Sequence, residues 1–300
     1  EIHDGLLGRR VRIGSRAYLR RMRELAAEAA PLDIAGGTIA TPAGFKVATL
    51  TSSGTLTVTG SGWLNGELVP AGGGGASVRA GGGGGGMPIR FRIWVTAGVY
   101  AIVIGEGGAG ASANNAPSPA QNGGDTAAFG ITALGGGAGG AAFRASSPLG
   151  SPNGFPGGNG GGAGPWGTGN GVGGAATDPA GYPGGNGHDD VSGTNRSGGG
   201  GGGAGGPGSG GVPASDASGG PGVASICPGI SATYCAGGKG GDYVGMNPSA
   251  GINPGDGGDG AAQQVAGGNG AKGISHFWTE PFDITTPAGW YSGITIFQAR

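Results

Sequence analysis

Charge is scarce in this chain. Only 11% of its 300 residues are Asp, Glu, Lys or Arg, and 16 cations against 17 anions leave a net charge of −1. A disordered polyelectrolyte needs charge to stay expanded, and a nucleic-acid binder needs a basic footprint, so neither class fits. The three histidines are His3, His188 and His276, without the spacing of a structural zinc site. Nothing groups carboxylates, or Ser, His and Asp, as acid–base or nucleophilic catalysis requires. The reading therefore expects no catalytic residue, no metal and no cofactor. Long apolar runs are also missing: Ile93 to Ile104 is interrupted by Thr96 and Gly98 and is too short to span a bilayer. With no apolar leader read ahead of the body, the expectation is a chain soluble in itself, at home on a particle or cell surface. Leu, Ile, Val and Phe are too thinly spread to give the whole length one conventional core.

What the chain has is glycine, 82 residues of it, with 20 prolines. Ordinary domains carry about 7% Gly. Each ordered Gly loses roughly 1–2 kcal/mol of backbone entropy, more than any other residue type. A fold built from it needs a strong lateral packing scheme to offset that loss.

Four stretches read differently. Residues 1–42 hold seven of the sixteen cations (Arg9, Arg10, Arg12, Arg16, Arg20, Arg21 and Arg23). Ser15 can cap a short helix from about Arg16 to Ala30, stopped by Pro31. Tyr18, Met22, Leu25 and Ala29 make one apolar stripe on it. A helix this short is marginal alone, so the stripe is read as an assembly surface on an N-terminal attachment arm. Residues 43–105 read as a β-strand base. Phe45, Val47 and Leu50, then Leu56 and Val58 after Ser53-Gly54, suggest a hairpin. Ile89, Phe91, Ile93 and Val95 alternate with Arg90, Arg92 and Trp94. Val99 to Ile104 then reads as a return strand, apolar on both faces, that closes a second hairpin. The main apolar core is expected here, with Trp63 and Trp94 as candidates for it.

Residues 106–273 are glycine runs separated by segments with Pro, Asn, Asp and single aromatics. Phe155-Pro156-Gly157-Gly158-Asn159-Gly160 nearly repeats as Tyr182-Pro183-Gly184-Gly185-Asn186-Gly187, and Gly267-Gly268-Asn269-Gly270 keeps the last part. Such runs suit the extended left-handed helix of three residues per turn, rising about 3.1 Å per residue. It has no internal hydrogen bonds, so every N–H and C=O needs a partner on a neighbouring rod. Each bond contributes only about 1 kcal/mol net, which demands many cooperating rods. A collagen triple helix would need Gly at strict three-residue intervals, and cross-β stacking would need β-propensity that Gly198–Gly203 lacks. Residues 274–300, dense in aromatics, read as C-terminal strands that close the base or join subunits. The fold class is thus mainly β, a polyglycine-II-like rod bundle on a small β-sandwich-like base with a short N-terminal helix.

Several landmarks in order resemble the glycine-rich domain of bacteriophage tail fibre and receptor-binding (adhesin) proteins. They are Thr51-Ser52-Ser53-Gly54-Thr55-Leu56-Thr57-Val58; the Gly81–Gly86 run; Val99 to Gly110; Gly123-Gly124-Asp125-Thr126-Ala127-Ala128-Phe129-Gly130 with Ala133-Leu134-Gly135-Gly136-Gly137; and a closing strand after Gly270-Ala271-Lys272-Gly273-Ile274. Val69-Pro70-Ala71-Gly72 comes later than the family pattern places it. The resemblance, over roughly residues 45–280, implies a tail fibre or tail tip of a virion, extracellular when mature, built as a homotrimer. Its arm would join other tail proteins, and loops between rods would meet a host glycan or outer-membrane protein. A bacterial surface or matrix protein and an ice- or carbohydrate-binding module are the alternatives.

The receptor-binding candidates are the aromatics between rods: Phe155, Trp166, Tyr182, Tyr234 and Tyr243, which offer large contact area at low entropy cost; the bland alternative is that they plug gaps at rod ends. Cys227 and Cys235 enclose seven residues, and a disulfide holding Tyr234 outward is favoured over two free thiols. His188-Asp189-Asp190 reads as a solvated turn rather than a metal corner. Asp256 and Asp259 read as turn formers bonding their own backbone rather than a calcium loop, which would need stacked repeats.

Overall fold

The computed structural model describes residues 2–4, 9–11, 31–113, 120–142, 151–166, 169–190, 196–213, 215–241, 248–262 and 265–280. At the start, β1 (Ile2–Asp4) pairs antiparallel with β2 (Arg9–Val11). The expected helix, with Tyr18, Met22 and Leu25, lies outside the described residues.

Alternating apolar residues then build a sandwich. One sheet holds β3 (Asp33–Ala35), β6 (Gly54–Thr59), β9 (Gly98–Val103), β10 (Thr126–Ala128) and β11 (Ile131–Ala133), in the order β11-β10-β9-β6-β3. The other holds β4 (Thr38–Ala40), β5 (Lys46–Leu50), β7 (Gly62–Val69), β8 (Ile89–Val95) and β16 (Ile274–Thr279), in the order β4-β5-β16-β7-β8. Ile34, Leu56, Val58 and Ile102 from the first sheet meet Leu50, Leu64, Leu68, Val95 and Phe277 from the second in one core.

Neither expected hairpin forms. β5 and β6 go to different sheets, as do β8 and β9. The short links turn a corner between layers, because that lets Leu50 and Leu56, or Val95 and Ile102, face the same core from opposite sides. β9 buries Ile102 and leaves Val99, Ala101 and Val103 exposed, so it is one-sided. Trp63 and Trp94 are cross-strand partners outside the core, ring edge to ring face at 5.6 Å, with Trp94 58% exposed.

Between these strands the chain repeatedly leaves the sandwich as glycine rods and returns. The hydrogen bonds carry the signature of the three-residue helix, since successive donors turn to three different neighbours. Ala71 and Gly74 donate to Gly124 and Gln121, Gly72 and Gly75 to Ala271 and Gly268, and Gly73 and Ala76 to Gly84 and Gly81. The rod 80–86 sits inside the lattice. It donates to the rods 255–261, 134–140 and 198–204, and accepts from Gly73, Gly162 and Gly238 on three further rods. The rod 198–204 is surrounded in the same manner. Three donating and three accepting contacts make hexagonal packing, which at most positions leaves no room for a side chain. A Cβ on Gly81 would lie 1.9 Å from the Gly162 carbonyl oxygen.

Alanine marks where the lattice loosens. Ala76, Ala80, Ala111, Ala120 and Ala138 cluster near the rod ends remote from the sandwich and form a small apolar plug there.

Candidate functional site

Because rods alternate outward and back, their far ends line up. Ala80 bonds Ala261, Gly241 bonds Ala80, Gly198 bonds Gly241, and Gly240 bonds Ala217. The segments joining these ends therefore start and finish at one pole of the bundle. Trp166 belongs to it, in β12 (Pro165–Trp166), paired with β13 (Gly169–Asn170). So does the turn at His188 and Ser197, which exchange backbone bonds of 2.8 and 3.0 Å. There Arg196 donates to Asp189 Oδ1 at 2.8 Å. Tyr243 lies outside the described residues.

Phe155 and Tyr182 are set back from that pole along their rods, Phe155 level with Ala138, whose carbonyl accepts its N–H, and Tyr182 nearer the sandwich, level with Asn159 and Gly85. Gly161 donates to the Phe155 carbonyl and Gly160 to the Tyr182 carbonyl. Both side chains are a little over one-third exposed. The structure thus separates the four described aromatic candidates rather than gathering them.

Tyr234 corrects the sequence reading. It is 4% exposed, in β15 (Thr233–Tyr234), which pairs with β14 (Val223–Ala224) and packs against the outer face of the second sheet. The expected disulfide is absent: Cys227 and Cys235 are both buried free thiols. Cys227 packs with Val47 and Trp278, whereas Cys235 packs with Val69, Ala204 and Tyr234. Each thiol serves as a small apolar side chain in its own cluster. Burial, with the Glu67 carboxylate nearby, pushes Cys227 up to about 12, and burial raises Cys235 well above the usual thiol range. Neither is a poised nucleophile.

Under this hairpin lies a polar cluster with no local signal in the chain. Glu67 on β7, His276 on β16 and Thr49 on β5 share one row across the sheet. Glu67 is fully buried and accepts from Arg90 Nε at 3.0 Å, Ser225 Oγ at 2.6 Å and the Ile226 N–H at 3.3 Å. His276, 1% exposed, has Nδ1 3.0 Å from Thr49 Oγ1 and Nε2 3.0 Å from the Tyr234 hydroxyl, with the two rings stacked. Burial lowers the proton affinity of His276, opposed by Glu67, and burial together with Glu67 pushes Tyr234 up to about 12. Ser225 bonds Glu67 rather than the histidine, so the set is no catalytic triad. It clamps the 223–235 excursion onto the sheet through charge-assisted bonds.

A second set was half visible. Side-chain oxygens of Asn and Asp replace missing rods along the bundle's flanks. Asn122 and Asp125, three apart, accept from Ala138 and Gly135, also three apart. Asp256 and Asp259 accept from Ala236 and Lys239 in the same rhythm. Asp256 also bonds its own turn through Asn253, whereas Asp259 reaches Ser249 on another segment. Turn formation was therefore only part of their role. Asn186 accepts from Gly173. Asn159, fully buried, donates to the Gly85 and Gly86 carbonyls and accepts from the Tyr182 N–H. The repeated Gly-Gly-Asn-Gly was the available signal. Among the described residues, no group of three His, Cys, Asp or Glu is placed to hold a metal ion.

A mainly β chain with a sandwich base and laterally bonded glycine rods defines a class of glycine-rich structural domain. The family of that description, the glycine-rich domain, matches residues 51–277, and the chain belongs to it. No curated protein matches the chain.

Proposed function

We propose that the chain is a structural component of a bacteriophage tail fibre or tail tip. It is non-enzymatic and homotrimeric in this reading, with the loops at the far pole of the bundle turned toward a host glycan or outer-membrane protein. Residues 1–42 join it to other tail proteins. The observation that supports this is the shared pole. A lattice of backbone bonds brings the ends of many rods to one pole, as rigid scaffolds hold the ends of binding loops elsewhere. In this reading the sandwich at the other end faces the particle.

The test is a binding titration of the labelled full chain on intact bacteria of a host-range panel. Trp166→Ala and Tyr243→Ala should each weaken binding about tenfold, the effect of losing an aromatic hot spot. Phe155→Ala, set back from the pole along its rod, should leave it unchanged. Equal binding by all variants, or no binding to any strain, rejects the receptor-facing role. Sedimentation of the same sample decides the trimer.

One observation favours a second reading. Thr55, Thr57 and Thr59 line up beside Val99, Ala101 and Val103 on the outer face of the first sheet. A regular row of threonines of this kind suits ice. Thermal hysteresis by the purified chain would support it over the first.

A further inference from the structure

The 223–235 excursion is held shut by a cluster in which histidine alone has an ordinary pKa between pH 5 and 8. The groups around His276 come from every element packed on it. β5 supplies Thr49, β7 the buried Glu67, and β8 Arg90, which bonds Glu67. The excursion supplies Tyr234, Ser225 and Cys227, and the rod that follows it begins at Cys235, with Asp256 nearby. In the neutral imidazole one ring nitrogen donates and the other accepts, so Thr49 and Tyr234 are bonded in a fixed sense.

A proton on His276 makes both nitrogens donors and adds a positive charge. Glu67 already balances Arg90 and already accepts from Ser225 and Ile226. The extra charge is then buried without a counter-ion of its own. It is relieved when the imidazolium reaches water, and the hydroxyl in its way is that of Tyr234.

We propose that the 223–235 excursion is an acid-released flap, latched by the Thr49–His276–Tyr234 bonds and opened locally when His276 takes up a proton. The sign follows from burial. The closed state binds the proton less readily than an exposed histidine does. As pH falls below the ordinary value of about 6.5, the open state is therefore protonated first. Closure is favoured above that pH and lost below it. The flap carries Cys227 and ends at Cys235, the chain's whole thiol content, and while it is closed both are buried against the sheet and the rods, at 3% and 0% exposure.

Those thiols report the opening. The full chain is labelled with 4,4′-dithiodipyridine, which reacts in acid, at pH 7.5 and pH 5.0, and each rate is divided by that of the urea-unfolded chain at the same pH. Protection should fall about tenfold at pH 5.0, within the 5–150-fold range of site-to-site coupling, while the far-UV circular dichroism stays unchanged. His276→Gln, which cannot take up the proton, should show the same protection at both pH values. If that variant labels at the unfolded rate throughout, Tyr234→Phe decides instead. It keeps the ring and loses the bond to Nε2, so its labelling midpoint should move to higher pH. Equal protection of the native chain at both pH values overturns the proposal. So does a pH response retained in His276→Gln, an unmoved midpoint in Tyr234→Phe, or labelling that appears only as the circular dichroism is lost.

Discussion

At the scale of single residues, the fold turns on whether a side chain is present at all. A Cβ on Gly81 meets the Gly162 carbonyl oxygen at 1.9 Å, whereas one on Gly210 meets only the Asn186 carbonyl oxygen at 3.7 Å. Gly81→Ala must push two rods apart and should destabilise the chain by about 3 kcal/mol, at the upper end of ordinary overpacking. Gly210→Ala should be neutral or stabilise by a few tenths, about 0.4 kcal/mol, through the unfolded state. Urea denaturation of both variants separates them. The asparagines divide in the same way. Asn159→Ala strands two buried carbonyls, each worth roughly 1–3 kcal/mol when unmet, and a part-buried N–H, and should cost about 3 kcal/mol. Asn186 is exposed and satisfies one N–H, so Asn186→Ala should cost less than about 1 kcal/mol. Similar losses for the two would mean that the flank bonds do not distinguish inside from outside.

At the scale of elements, β16 is the keystone of the base. It pairs with β5 along Ser275–Thr279 and with β7 along Ile274–Thr279, and it places Phe277 fully inside the core. The chain must cross the whole rod region before this strand arrives, so the second sheet closes last in sequence. Truncation after Gly273 removes a central strand and should abolish cooperative unfolding, read as loss of a sigmoidal urea transition. The hairpin readings failed at this scale for a physical reason. Alternation of Ile89, Phe91, Ile93 and Val95 told which face is apolar, but a sandwich offers that face two sheets to belong to. Only the pairing of β8 with β7, and of β9 with β6, assigns them.

At the scale of the whole molecule, two kinds of interior coexist. The sandwich is stabilised by apolar burial, and the bundle by peptide groups that satisfy one another. Exposing peptide surface lowers the heat capacity of unfolding, and exposing apolar surface raises it. The chain should therefore unfold with a heat-capacity change per residue below the usual ~12–15 cal/mol/K, measured by scanning calorimetry. A value at or above that range would mean that the rods contribute little buried backbone. A low value implies a flatter stability curve with temperature, a useful property in a structural part.

Composition alone determined the building material. Glycine without a strict three-residue period, with little charge, leaves laterally bonded rods as the scheme that satisfies the backbone, and the runs at 81–86, 135–140, 157–164 and 267–270 lie in those rods, whereas the run 198–206 is a rod only until the turn closed by Gly203 and Gly206. The periodic apolar stretches equally determined that a β base exists. Only the tertiary structure decided which rod neighbours which, because glycine runs are chemically alike and their register is set by where the sandwich strands hold the rod ends. It also decided that Tyr234 is a latch, that the cysteines stay apart, and that Glu67 and His276 meet across more than two hundred residues. A buried polar contact of that kind has no local signal: it exists because β7 and β16 are neighbours in space.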